Sequence, residues 1–261
     1  MRLTMLTLCG SLLLLASSAP AALDLVASDD ASNYTNGTEW SGNMGFGFQG
    51  WVFRESSGAG YAGHWLATTA ATDLNHIWSL PEYKAWGTYA NGDGWQDVVA
   101  YRAMSPGNSL AEAFDTLHVS IENGPIQVND PPRRAGFTLR NGNADGSIGA
   151  YQTGARLEFR FIGGASNYEI VGSTTNDTGI GWRDSGLHIE VAMTDTNRYR
   201  CRIIDAATGS LLTNLVGMLK GTGSIDSIAL FNQDTEDSEG HVYFNNLRVY
   251  KHRLPTMFLA K

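Results

Sequence analysis

Charge is scarce in this sequence and cysteine scarcer. Lys, Arg, Asp and Glu make up 17% of the 261 residues, against roughly 25% in a typical globular domain. What charge there is leans acidic: 18 Lys+Arg stand against 26 Asp+Glu, a formal net charge of −8. That balance excludes the basic footprint by which a protein grips nucleic-acid phosphate. No apolar run reaches the roughly 20 residues that a membrane-spanning helix needs. No stretch shows a capped helical stripe, a repeat of fixed period, or a linker rich in Pro or Ser. Zinc-ligand spacing is missing, and the glycines follow turns rather than strand-to-helix junctions, so no phosphate-cradling loop is present.

What is there begins with an address. Arg2 is followed by an apolar run from Leu6 to Ala16, and Ala19-Pro20-Ala21 matches the small-x-small cleavage rule. Residues 1–22 therefore read as an export signal cleaved near Ala21-Ala22, and the mature chain is expected outside the cytoplasm, in the extracellular or periplasmic space. Cys9 leaves with the signal. The mature chain keeps Cys201 alone and cannot form an internal disulfide, so its stability must come from burying a core. Hydrophobic residues at 43%, including 7 Trp, are enough to build one.

The body reads as strands. Period-two alternation places Asp115, Leu117, Val119 and Ile121 on one face and Thr116, His118, Ser120 and Glu122 on the other. The same pattern sets Leu157, Phe159 and Phe161 against Glu158 and Arg160. It sets Leu187, Ile189, Val191 and Met193 against His188, Glu190 and Ala192, and Tyr199, Cys201 and Ile203 against Arg198, Arg200 and Arg202. Cys201 falls on the apolar side, as an inert buried thiol would. Asn-Gly pairs at 36–37, 91–92, 123–124 and 141–142 predict tight hairpins, because both residues tolerate positive φ. The expectation is an all-β, antiparallel β-sandwich of about a dozen strands. It forms one domain over 23–252, with a short tail at 253–261.

Two segments carry the oxygen ligands calcium prefers. Asn141-Gly142-Asn143-Ala144-Asp145-Gly146 alternates them, although a plain Asn/Gly turn explains it more simply. By analogy with the carbohydrate-binding jelly rolls that the segments quoted next resemble, whose end strands often adjoin, Asp29 and Asp30 near the first strand could meet Asn245 in the last. These three are the candidate ligands of a structural calcium, and the sequence calls for no other cofactor.

Three segments carry a resemblance: Gly45-Phe46-Gly47-Phe48-Gln49-Gly50-Trp51, Lys84-Ala85-Trp86-Gly87-Thr88-Tyr89-Ala90-Asn91-Gly92, and Val242-Tyr243-Phe244-Asn245-Asn246-Leu247-Arg248-Val249. Together they resemble the bacterial secreted jelly rolls of the concanavalin A-like lectin/glucanase group. The resemblance spans roughly Ala27 to Tyr250 and implies a polysaccharide or glycan as partner, bound on a polar concave sheet face. On that reading Trp95, Tyr101, His118, Glu122, Arg140, Glu158 and Arg160 would touch sugar. Rings would stack on pyranose faces, and Arg and Glu would bond hydroxyls or uronate carboxylates. An enzyme of the group, a lyase or glycosidase, would draw on His118, Arg140, Glu158, His188 and Glu190. The Glu-x-Asp-x-x-Glu run of the laminarinase-like branch is missing, as are the Arg and His strand motifs of alginate-lyase-like chains. Non-catalytic binding is therefore the first expectation and a structural or adhesive surface role the third. A solvated face of cross-strand ion pairs is the plainer reading of the same charges.

Overall fold

Alternation in the sequence becomes strand in the structure. The computed structural model describes residues 23–252 apart from 36, 38, 58–59, 71–73, 92–95, 125, 127–132, 143–147 and 234–239. Residues 1–22, Trp95, most of the 141–146 segment and residues 253–261 lie outside the described residues. The first strands are β1 (Leu23–Asp29), β2 (Phe48–Ser57), β3 (Tyr61–Thr68), β4 (Lys84–Asn91) and β5 (Gln96–Met104). Next come β6 (Thr116–Asn123), β7 (Arg134–Arg140), β8 (Ala155–Ile162), β9 (Glu169–Val171) and β10 (Thr175–Asp177). The chain continues through β11 (Leu187–Asp195), β12 (Arg198–Asp205), β13 (Leu211–Met218), β14 (Ser227–Gln233) and β15 (His241–His252).

These form two antiparallel sheets stacked as a jelly-roll sandwich. One has eight strands in the order β13-β12-β11-β6-β15-β4-β3, with β1 pairing to β15 beyond the end of β4. The other has seven, in the order β10-β9-β8-β7-β14-β5-β2. Asn91 and Asn123 end β4 and β6, but the strands that follow, β5 and β7, belong to the other sheet. The expected hairpins there are crossovers. An Asn-Gly pair reverses the chain locally but does not choose the sheet in which the next apolar face finds its partner. After Asn141 the chain does return to an antiparallel neighbour, β8, though only at Ala155 and not through a two-residue turn.

Between the sheets lie the residues that alternation assigned inward. Leu117, Val119, Ile121, Leu187, Ile189, Val191, Tyr199 and Cys201 face Phe137, Leu139, Leu157, Phe159, Ile228 and Leu230. Burial pushes the Cys201 thiol pKa up to about 12, which suits an inert core sulfur. Trp40 stacks on Trp86 at 5.7 Å and meets Trp51 edge-on at 4.9 Å. Both outer faces are partly roofed. Tyr151 closes over Val99, Tyr101, Ala229 and Phe231 on the seven-stranded sheet, while Leu74 and Ile77 close over Ala67, Ala85 and Tyr243 on the other.

A single guanidinium crosses the core. Arg102 of β5 is fully buried, and so is its partner Asp29 at the end of β1. Arg102 Nη1 also donates to Tyr34 Oη (3.2 Å), Nε to the Gln49 carbonyl (3.0 Å), and Nη2 to Asn43 Oδ1 (3.0 Å) and the Met44 carbonyl (2.7 Å). All five N–H donors are therefore used. The Phe48 and Trp51 rings lie 4.9 and 4.8 Å from the guanidinium carbon, within cation–π range. The Asp29 carboxylate also accepts from Tyr34 Oη (2.7 Å) and Asn33 Nδ2 (2.8 Å). Removing one partner of such a pair leaves an uncompensated buried charge. Arg102→Met and Asp29→Ala are each expected to lose about 3–5 kcal/mol of unfolding free energy, read from urea midpoints. A loss below about 1 kcal/mol in both would show that the clamp is not what joins the two sheets.

Candidate functional site

The outer face of β6, β11, β12 and the second half of β15 carries an open groove of about 310 Å³. Its walls come from His118 and Ser120 on β6, His188 and Glu190 on β11, Ile204 on β12, and Asn246 and Arg248 on β15. Register brings them together: His118 sits opposite Glu190 on one side and Arg248 on the other, and Ser120 sits opposite His188. A β-bulge between Asn245 and Arg248 puts one extra residue into β15, and Asn246 there has φ +54°. Asn tolerates that left-handed backbone better than most residues, and bulges commonly re-aim side chains in this way.

The groove's floor is a hydrogen-bonded chain. Asn246 Nδ2 donates to Ser120 Oγ (3.2 Å), and Ser120 Oγ lies 2.7 Å from His188 Nδ1. Among the described residues the serine hydroxyl has no other acceptor, so its hydrogen points at Nδ1. His188 then carries its own proton on Nε2. Ser120 is 1% exposed and so holds the imidazole instead of meeting a ligand. Glu190 is paired to Arg202 at 2.5 Å in a half-exposed bridge worth little by itself. The Arg248 guanidinium has no hydrogen-bond or ion-pair partner among the described residues. Burial pushes both histidine pKa values down. The positive field of Arg248 adds to this, and Glu190 opposes it. Arg202 and His188 act further on His118, and Asp205 opposes the shift at His188. Both rings are accordingly neutral at pH 7. The Tyr250 ring stands 4.9 Å from that of His118.

The expected site residues divide between two surfaces. His118, His188 and Glu190 share the groove. Arg140, Glu158 and Arg160 alternate onto the outer face of the other sheet, so the expectation of one common sheet does not hold. Glu158 and Glu190 therefore cannot act as a carboxylate pair across a glycosidic bond, which needs the two groups within about 10 Å. Arg140 is 3% exposed, donates to the Thr153 (2.9 Å) and Ala150 (3.2 Å) carbonyls, and covers the Tyr101 ring at 5.0 Å. Tyr101 is 0% exposed and stacks on nothing from solvent. Arg160 bridges Glu158 (3.1 Å) and Glu169 (2.8 Å), and Glu158 also accepts from Gln152. Glu122 is buried: its carboxylate accepts the backbone N–H groups of Asn75 (2.6 Å), His76 (3.0 Å) and Ile77 (3.3 Å) and so pins the roofing loop. Trp95 lies outside the described residues.

The expected calcium ligands find other partners. The end strands do adjoin, since β1 pairs with β15. The positive charge facing Asp29, however, is Arg102. Asp30 caps Ser32, while Asn245 accepts from the Ala31 N–H (3.0 Å) and donates to the Ile77 (2.7 Å) and Lys84 (2.9 Å) carbonyls. Among the described residues no cluster of three His, Cys, Asp or Glu could hold a metal ion. The groove members that sequence reasoning left out are Ser120, Ile204, Asn246 and Arg248. The signal for the last two was the Asn245-Asn246 pair interrupting an alternating strand.

No family model matches the chain, and no curated protein does. Solved structures do match. A carbohydrate esterase from the Shiga toxin-encoding bacteriophage phi24B is 10% identical, covering 89% of this chain and 100% of its own, with TM-score 0.48. The lectin UEA-II complexed with galactose is 8% identical over 78% of this chain and 93% of its own, with TM-score 0.46. An alginate lyase of polysaccharide lyase family 7 is 12% identical over 65% and 79%, with TM-score 0.40. At these levels the likenesses assign no activity to this chain.

The two histidines make a pH prediction. Their folded pKa values lie below the unfolded value of about 6.5, so below that pH the unfolded chain binds protons the folded chain refuses. The stability gained by keeping them neutral is full above about pH 6.5 and is lost as pH falls through the depressed values. A His118→Gln/His188→Gln chain is expected to lose less Tm than the parent between about pH 7 and pH 5. Equal losses would place the titration elsewhere.

Proposed function

We propose that the protein is an exported, non-catalytic binder of acidic polysaccharide, holding the sugar in the groove of the eight-stranded sheet. The observation that carries this reading is Arg248: a half-buried guanidinium lining an open groove, with no ion-pair partner among the described residues. Around it the same face presents Arg200 and Arg202 against the single groove carboxylate of Glu190, on a chain whose net charge is −8. Fields of one sign on an otherwise opposite surface favour ligands of the other sign. His188 Nε2–H, Asn246 and Glu190 supply the mixed donors and acceptors that sugar hydroxyls require, and Tyr250 supplies a ring edge. The apolar leader at 1–22 fits a protein that meets its polymer outside the cell.

A second reading draws on the same atoms. A neutral imidazole beside an unpaired guanidinium is the pairing that β-elimination from a uronate needs: a base for the proton and a cation for the carboxylate. On that reading the protein is a polysaccharide lyase, and its incubation with polymer would release unsaturated ends.

The test is co-sedimentation of the protein with neutral and uronate polysaccharides, with reducing and unsaturated ends assayed in parallel. Binding to the uronate polymer without product is expected. Arg248→Ala should weaken it by about tenfold or more, the worth of one charge-assisted hydrogen bond. Affinity should rise as pH falls, because a bound anion favours the protonated form of both histidines and binding takes up protons. Arg140→Ala should lower stability and leave binding unchanged. Product formation would favour the lyase. No binding to any polymer would overturn the proposal and leave a structural or adhesive role.

A further inference from the structure

A second cavity, of about 370 Å³, lies at one end of the sandwich. There the β11–β12 turn of one sheet meets the start of β8 in the other. Arg156, from β8, is 2% exposed and forms part of its wall. The rest of the wall is small and neutral: Thr196, Asn197, Thr222 and Ser224, with Ala111 and Gly223 between them. Arg156 donates to Asn197 Oδ1 (2.9 Å) and to the Lys220 carbonyl, and its Nε–H meets no acceptor among the described residues.

That arrangement leaves a buried cation with no counter-charge among the described residues. Three other buried or half-buried arginines are answered by carboxylates: Arg102 by Asp29, Arg160 by Glu158 and Glu169, and Arg183 by Asp205. No described carboxylate stands within ion-pair distance of Arg156. A buried ion is costly unless it is paired. Burial alone pushes the Arg156 pKa down, with no acid opposing it. The hydroxyls of Thr196, Thr222 and Ser224 each carry an O–H donor, and donors beside a guanidinium suit an oxyanion. The volume falls in the range of small-ligand sites, roughly 300–1,000 Å³.

We propose that this cavity is an anion site, distinct from the groove, in which Arg156 and the hydroxyls of Thr196, Thr222 and Ser224 hold a sulfate, phosphate or carboxylate group. The group comes either as a free inorganic oxyanion or as the carboxylate of a sugar acid. The full chain is titrated with sodium sulfate, sodium phosphate or sodium glucuronate, against sodium chloride at matched ionic strength, and thermal unfolding is followed. A saturable rise in Tm beyond the chloride control is expected with at least one probe, and Arg156→Met should weaken the apparent affinity about tenfold or more. A rise with sulfate or phosphate alone assigns a free oxyanion, and a rise with glucuronate assigns a sugar acid. If Arg156→Met does not fold, Thr222→Val takes its place and should weaken the same titration. No saturable rise with any probe, or a rise unchanged in the variant used, would overturn the proposal.

Discussion

A buried charge demands an opposite one, and much of this structure is arranged by that demand. Arg102 could not sit between two sheets unless every donor it carries were met. Meeting them requires β1, the Ala31–Asn33 turn, the 43–49 segment and β5 to converge at one place. Asp29 and Tyr34 come from one side of the sandwich and the Gln49 carbonyl from the other. The clamp thereby sets how the N-terminal segment lies across both layers. Among the described residues the one cysteine, Cys201, is free, and the clamp does by electrostatics what a covalent cross-link does elsewhere. The three tryptophans packed beside it exclude water and so raise both the strength of the pair and the penalty for breaking it.

The two outer faces meet the same problem differently. On the seven-stranded sheet Arg160 lies between two glutamates and Arg140 over Tyr101. On the eight-stranded sheet the roof held by Glu122 covers one part only. Beyond it, the side chains around Arg248 keep unspent hydrogen-bonding capacity.

Local order was legible in the sequence. The alternation of Leu117, Val119 and Ile121, of Ile189 and Val191, and of Tyr199 and Cys201 appears in the structure as read, and Trp51 and Trp86 are core. What alternation cannot encode is which sheet a strand joins. It separates two faces of one strand and says nothing about its neighbours, so His118 and Glu158 looked like companions and ended on opposite sides of the molecule. Long-range satisfaction was equally out of reach. Glu122 finds its donors 45 to 47 residues away and Asp29 its arginine 73 away, and no spacing rule links such positions. Sequence reasoning saw the acidic residue at Asp29 and supplied a metal as its partner, where the fold supplies a guanidinium.

The extra residue in β15 has a consequence for parity. Ahead of it Val242 and Phe244 point inward; past it Leu247 and Val249 do. The strand thus changes from even-in to odd-in within a single step, and its solvent side changes phase along with it. Were the bulge flattened with Asn246 kept in the pleat, alternation would carry Arg248 and Tyr250 into the hydrocarbon interior and turn Leu247 and Val249 out to water. One amino acid, held in a backbone shape few others accept, decides whether the carboxyl-terminal strand shows its cation to the outside or buries it.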